Sequence, residues 1–145
     1  MITNEERREV YARLKTRLKR ALAGEFWLEA CMIEYAILED RTASILFNAR
    51  VTEKGWEKKL SNKLNSIEHQ IGKQHPLICH RVLPETLEAI RTWKEQRNEA
   101  VHRACINAYD ENALRILAEE GKRLADRISN ESQKVKRAAM KTSSS

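Results

Sequence analysis

The stretch EACMIEYAILEDRTASIL, residues 29–46, decides the fold, because its apolar residues recur on every side of a helix. One side of the helical wheel carries Phe26, Ile33 and Ile37, and the opposite side carries Leu28, Tyr35 and Leu46. A helix that is apolar all round is either central in a bundle or covered by a partner chain. We therefore predict a buried helix from Glu25 to about Val51.

The remaining chain shows single apolar stripes of helical period. Thr3 and Glu6 have the spacing of a capping box, and a stripe with a four-residue repeat follows until Gly24. Residues 56–72 carry the cleanest stripe and predict a third helix. Pro84 suits the first turn of a fourth helix that runs to about Ala104. Asp110 caps a fifth, whose inner face is Leu114, Leu117, Leu124 and Ile128.

Length and composition agree with one all-α domain. The chain has 145 residues, with only four Gly and two Pro, which is few turn residues for a many-stranded sheet. We predict an antiparallel bundle of four to five helices over residues 1–133. Residues 134–145 lack a sustained apolar pattern, so we predict a basic, disordered tail there.

The net charge of +6 is concentrated at the ends of the chain. Residues 1–20 hold seven basic and three acidic side chains, and residues 134–145 hold four basic and none acidic. Basic ends on a near-neutral body suit a polyanion such as nucleic acid, and they equally suit a solubilising role. Charge is consistent with RNA as a partner without establishing it.

The cysteine pattern and the N-terminus favour a cytoplasmic location. Cys31, Cys79 and Cys105 are an odd number without C-x-x-C spacing, so neither a disulfide framework nor a zinc ribbon is indicated. The first ten residues are charged, and no apolar run approaches the ~20 residues that span a bilayer. We expect no membrane association.

Candidate chemistry lies in QRNEAVH, residues 96–102, on the fourth helix. On a wheel with Ile90 at zero, Arg97 falls at about −20°, near the middle of the apolar stripe. A buried arginine needs a carboxylate or another reason to be there. Glu34 is the first candidate for a structural ion pair with Arg97, and Asp40 is the second.

A phosphate site is the other interpretation of the same residues. Asn98 and His102 are four residues apart and border the stripe beside Arg97. An arginine that clamps a phosphate, an imidazole that titrates near neutrality and a positioning amide are sufficient for phosphoryl transfer without a metal. RNA supplies its own nucleophile in the 2′-hydroxyl.

Residues five apart on a regular helix diverge by about 140°, so Arg97 and His102 of one chain face different directions. Either the helix distorts near Ala100, or a second copy of the chain completes the site. A two-fold homodimer packed through this face and the apolar far side of the second helix solves the problem.

Arg97-Asn98-x-x-x-His102, together with a basic first helix, a long second helix and a final long helix, resembles the HEPN superfamily over residues 3–130. The resemblance implies a dimeric, metal-independent endoribonuclease, often a prokaryotic toxin or antiviral-defence effector. It makes His102 the general acid/base, Arg97 the phosphate clamp and Asn98 a positioning residue, without a cofactor.

Two further features of the resemblance concern supporting residues and partners. Glu34 and Asp40 lie where a second-helix acid accompanies the motif, so they are its supporting candidates. Toxins of this family paired with a nucleotidyltransferase antitoxin often carry a tyrosine two residues after the histidine, where this chain has Ala104. An antitoxin or defence-system protein stays an expected partner, but not through such a tyrosine.

Other interpretations remain. Residues 72–83 form a connector between the third and fourth helices. His69 just before it, and His75, Cys79 and His80 within it, match no standard zinc pattern, so we expect a polar loop without a metal. Trp27, Trp56 and Trp93 lie at core spacings and are interpreted as packing residues. The same dimer is alternatively a binding module for nucleotide, RNA or protein without turnover, or a purely structural bundle.

Overall fold

The structure is a computed structural model that describes residues 3–52, 59–106 and 109–143. Within these ranges the chain forms five helices and no strand. The helices are α1 (Asn4–Ala23), α2 (Trp27–Asn48), α3 (Leu60–Gly72), α4 (Pro84–Cys105) and α5 (Glu111–Ser143). The predicted all-α class is confirmed.

Local capping explains where the helices begin. The Glu6 backbone N–H donates to Thr3 Oγ1 at 3.1 Å, and the Thr3 N–H donates to Glu6 Oε2 at 2.7 Å, which confirms the capping box of α1. Asp110 Oδ1 accepts from the Ala113 N–H at 3.0 Å ahead of α5. The predicted start of the third helix, including Trp56, lies outside the described residues.

The helices form two compact units. Unit 1 comprises Met1–Ile37 and Trp93–Arg123, and unit 2 comprises Leu38–Thr92 and Leu124–Ser145. The main buried side chains of unit 1 are Leu18, Trp27, Cys31, Ile37, Trp93, Leu114 and Leu117. Those of unit 2 are Leu38, Ile45, Leu46, Leu60, Leu64, Ile67, Ile78, Leu87, Ile90, Leu124, Ile128 and Val135. Burial of Trp27 and Trp93 confirms their packing role.

Residues 134–143, where the sequence predicts the beginning of a disordered tail, belong to α5 in the structure. Val135 is fully buried and lies seven residues after the buried Ile128, so the inner face of α5 continues for two more turns. Ala138 and Ala139 continue the helix, but their small side chains add little hydrophobicity. The apolar stripe of α5 is therefore weak in this part of the sequence.

The second helix is buried over much of its length but not all round. Ala30, Leu38 and Ile45 are fully buried, whereas Phe26, just before α2, and Met32 are 59% and 52% exposed. No helix in the described ranges combines the length and apolar character that crossing a membrane requires.

Candidate functional site

The three proposed catalytic residues lie in the last three turns of α4, within unit 1. Arg97 is half-buried, and Asn98 and His102 are exposed. The helix is uninterrupted from Pro84 to Cys105, so the distortion considered near Ala100 is not observed. Arg97 and His102 of one chain therefore keep the divergence of about 140° that a regular helix gives them.

The Arg97 guanidinium is held by two neighbours. Its Nη1 donates to Asn98 Oδ1 at 3.0 Å, and its Cζ lies 4.5 Å from the centre of the Tyr35 ring. A guanidinium over an aromatic face gains a cation–π attraction of about 0.5–2 kcal/mol and loses rotational freedom. Its Nε is buried and meets no acceptor among the described residues, so Arg97 has donor capacity left over.

Glu34 lies in the same part of unit 1 as Arg97. Its side chain is fully buried on α2. Burial raises the pKa of the Cys31 thiol to about 12, the Glu34 carboxylate adds to the rise, and the Arg97 guanidinium opposes it. Cys31 is therefore a neutral thiol and a poor nucleophile, and the charges of Glu34 and Arg97 act on one common neighbour. The Arg97–Glu34 ion pair itself stays a prediction.

Gly121 on α5 allows Glu34 to lie where it does. A Cβ at position 121 would overlap the Glu34 carboxylate and would lie 2.7 Å from Trp93 Cζ2. Trp93 is fixed in turn, since its Nε1 donates to the Leu117 carbonyl at 2.8 Å. Gly121 and Tyr35 were missed as site residues, although a lone glycine inside a helical pattern signals close approach.

Asp40, the second supporting candidate, lies in unit 2. Its Oδ2 accepts from Arg41 Nη2 at 2.6 Å and from Arg41 Nε at 2.9 Å, and both side chains are largely buried. The ion pair with Arg41 explains how a charged Asp40 side chain can be largely buried. Asp40 thus has an observed structural partner, whereas its predicted role beside Arg97 is untested.

His75, in the connector, has a structural role. His75 Nε2 lies 3.1 Å from the Ala49 carbonyl, and its Nδ1 accepts from the Leu77 N–H at 3.2 Å. Among the described residues, no three His, Cys, Asp or Glu side chains are placed to share a metal ion. His75 is therefore a residue that ties the connector to the end of α2.

Unit 1 also contains a groove of about 570 Å³ between α4 and α5. Its lining includes Glu99, Asp110 and Glu120 against a single cation, Arg103, which is itself paired with Glu99 at 3.0 Å. Carboxylates repel phosphates, so this groove is poorly suited to RNA. Arg97 and His102 do not line it.

No family model matches this chain, and no curated protein or solved structure matches it. Functional assignment therefore rests on the contacts of Arg97 and on the position of His102.

Proposed function

We propose that this chain is a metal-independent endoribonuclease of the HEPN type, acting through Arg97, Asn98 and His102. The carrying observation is the half-buried Arg97, which Asn98 and Tyr35 orient and which retains donor capacity, on the same uninterrupted helix as an exposed His102. A positioned guanidinium of this kind suits an oxyanion that gains charge during reaction.

In the proposed reaction a neutral His102 imidazole takes the proton from the 2′-hydroxyl, whose oxygen attacks the adjacent phosphorus. The bond from phosphorus to the 5′-oxygen breaks, and an imidazolium returns a proton to that leaving oxygen. A cyclic 2′,3′-phosphate and a free 5′-hydroxyl result, so atoms and charges balance. Arg97 stabilises the charge that develops on the phosphate, and Asn98 fixes the guanidinium.

A homodimer is part of this proposal. Because Arg97 and His102 of one chain diverge, each site uses Arg97 of one protomer and His102 of its partner. Exposed Phe26 and Met32, at the beginning of the second helix, supply apolar surface for the contact. Glu34 is the supporting acid on this view, since it is fully buried and acts with Arg97 on the same neighbour, Cys31.

The biological role that fits the resemblance is that of a prokaryotic toxin or an antiviral-defence effector, neutralised by a partner protein. Ala104 stands where a modifiable tyrosine occurs in some toxins of the family. Neutralisation through that position is therefore not part of the proposal.

Cleavage of RNA in excess EDTA by the purified chain tests the proposal. Replacement of His102 by Ala removes proton transfer, so the cleavage rate is expected to fall about 10²- to 10⁴-fold with the fold retained. The matched control is His80→Ala, which removes an exposed histidine of the connector and leaves the rate unchanged. No cleavage of any RNA tested, or an unchanged rate in His102→Ala, would end this proposal.

Mixed dimers test whether the site is shared. Arg97→Ala and His102→Ala chains are each expected to be inactive alone. Unfolded and refolded together, they form heterodimers in which one of the two composite sites is intact, and part of the activity returns. If mixing restores nothing while heterodimers form, each site belongs to one chain.

A second candidate function is a binding module without turnover, and the groove between α4 and α5 favours it. A lining that combines the apolar Leu117 and Ile116 with three carboxylates suits a protein partner that carries basic residues. Binding of RNA or of such a partner without cleavage distinguishes this function from the nuclease.

A further inference from the structure

The C-terminal half of α1 is an exposed surface of one charge sign. From residue 13 to residue 20 it has no carboxylate, and its exposed cations are Arg13, Lys15, Arg17, Lys19 and Arg20. This segment belongs to unit 1, as do Arg97 and His102. Five cations without an acid between them repel one another, so the surface stabilises the fold poorly and attracts anions.

Three arginines of α1 differ in their partners from Arg91, Arg103 and Arg115 of the later helices. Arg91 pairs with Glu68 at 2.6 Å, Arg103 with Glu99 at 3.0 Å and Arg115 with Glu119 at 2.9 Å. Over the described ranges, Arg13, Arg17 and Arg20 take part in no ion pair. Their guanidinium groups are thus unneutralised and available to an external anion.

Helical geometry places these three arginines on one flank. Residues 13, 17 and 20 lie within about 60° of one another on the wheel and span about 10.5 Å along the axis. The apolar stripe of the same helix is used inside unit 1, since Leu18 and Ala21 are 3% and 7% exposed. On the same wheel Leu18 lies about 140° from Arg13 and Ala21 about 40° from Arg17, so the exposed arginine ridge borders the buried face of α1.

Two structural roles account for part of this pattern. Arg20 lies in the last turn of α1, where a cation interacts favourably with the helix dipole by about 0.3–1 kcal/mol. That effect is confined to the last turn, and Arg13 lies about two turns earlier. A solvated face would carry both signs of charge, as residues 115–123 of α5 do with their Arg115–Glu119 and Arg123–Glu120 pairs.

We propose that the ridge of Arg13, Arg17 and Arg20 binds the phosphate backbone of single-stranded RNA. This proposal rests on the proposed function for the identity of the polyanion. It adds a surface that holds the substrate outside the residues that react. Arginine binds phosphate oxygens bidentately, and backbone contacts position a strand without reading its sequence. A membrane fits less well, because interfacial helices insert an apolar face that α1 has already buried.

The test measures binding of a short RNA with 2′-O-methyl groups throughout, which keeps its phosphates and cannot be cleaved by its own 2′-oxygen. Fluorescence anisotropy is recorded at several salt concentrations for the full chain and for Arg13→Gln/Arg17→Gln/Arg20→Gln. Gln keeps a high helix propensity and the first part of the aliphatic stem while removing the charge. The matched control, Arg115→Gln/Arg123→Gln/Arg127→Gln, removes the same charge from the mixed surface of α5.

Each single-strand phosphate contact contributes about 0.7 to the slope of log K against log salt, so losing three contacts lowers the slope by about 2. The α1 variant is expected to show this loss and at least a ~10-fold weaker affinity at low salt, while the control stays near wild type. Equal slopes in the two variants, or no RNA binding by the wild type, overturns the inference.

Two further arms separate the alternatives. The first arm measures co-sedimentation of wild type and the α1 variant with phosphatidylserine vesicles. If the α1 variant loses vesicle binding but keeps RNA binding, the ridge binds a membrane surface and the inference is overturned. Cleavable RNA in EDTA distinguishes the two proposals: if RNA binds through α1 but is not cleaved, the inference stands and the nuclease falls. Circular dichroism confirms that both variants fold.

Discussion

Two glutamates of the described chain are buried, and their surroundings differ. Glu131, in unit 2, is 5% exposed and accepts the Leu83 N–H at 2.7 Å, immediately before α4 begins at Pro84. Glu34, in unit 1, is fully buried beneath Gly121 and acts with Arg97 on the Cys31 thiol. The Glu131 carboxylate accepts a hydrogen bond from a backbone N–H. The Glu34 carboxylate shares a neighbour, Cys31, with the half-buried Arg97 guanidinium.

The contrast separates a structural acid from a candidate functional one. Glu131 satisfies an N–H at a helix start and links α5 to the connector, which is sufficient reason for its burial. Glu34 is placed by a close approach that only glycine at position 121 permits, and it shares a neighbour, Cys31, with Arg97. Perturbing each site should therefore give different results.

The largest expected effect is at Gly121. In Gly121→Ala the new methyl group overlaps the Glu34 carboxylate and Trp93, and Trp93 is fixed by its bond to Leu117. We expect the free energy of unfolding to fall by about 3 kcal/mol, the upper part of the range for overpacking. Urea denaturation followed by Trp fluorescence measures it.

The matched control is Gly72→Ala. A Cβ at Gly72, the last residue of α3, meets nothing within 4 Å. Alanine there is expected to leave stability unchanged or to raise it by at most about 0.5–1 kcal/mol, through the lower entropy of the unfolded chain. Alanine has a higher helix propensity than glycine at both positions, so similar losses in both variants would show that the close approach at Gly121 does not determine the result.

The sequence predicts most of the fold because the helices are specified locally. The capping residues Thr3 and Asp110 and the stripe of α3 are short-range signals that survive tertiary packing. The C-terminal part of α5 was missed because its stripe consists of Val135 and small residues, whose burial depends on what other helices present.

The candidate site is less accessible to prediction, because it depends on contacts between helices. Arg97, Asn98 and His102 stand out by spacing on one helix. Tyr35 and Gly121 act through neighbours that lie far away in sequence; a lone glycine in a helical pattern predicts a close approach but not its partner, and no local pattern marks Tyr35. The contact of Asp40 with the neighbouring Arg41 is visible only in the structure, and a role of Asp40 beside Arg97 stays a prediction.

A smaller effect is expected when Glu131 loses its acceptor. In Glu131→Ala the Leu83 N–H keeps no carboxylate partner, and the start of α4 is less well fixed. Loss of a hydrogen bond to a charged group lowers the free energy of unfolding by about 1.5–3 kcal/mol. We expect a value in the lower part of this range, because Leu83 is itself exposed. Glu131→Gln retains an oxygen acceptor and should recover most of the loss. If Glu131→Ala is as stable as Glu131→Gln, the bond to Leu83 is not what keeps this acid buried.

The smallest expected effect is the pH dependence that Glu131 adds to stability. Burial raises the pKa of its carboxyl, and the Leu83 N–H and Thr86 only partly oppose this rise. An acid whose pKa is higher in the folded state binds its proton more tightly there, so its contribution is most favourable below the unfolded pKa, about 4.3, and is lost as pH rises through the folded pKa. Glu131→Gln does not titrate and lacks this loss. The stability of Glu131→Gln relative to wild type is therefore expected to be higher at neutral pH than near pH ~4, as thermal unfolding at both values measures. A difference that moves the other way would mean that the positive charges of Arg127 and Lys134 outweigh burial at this carboxyl.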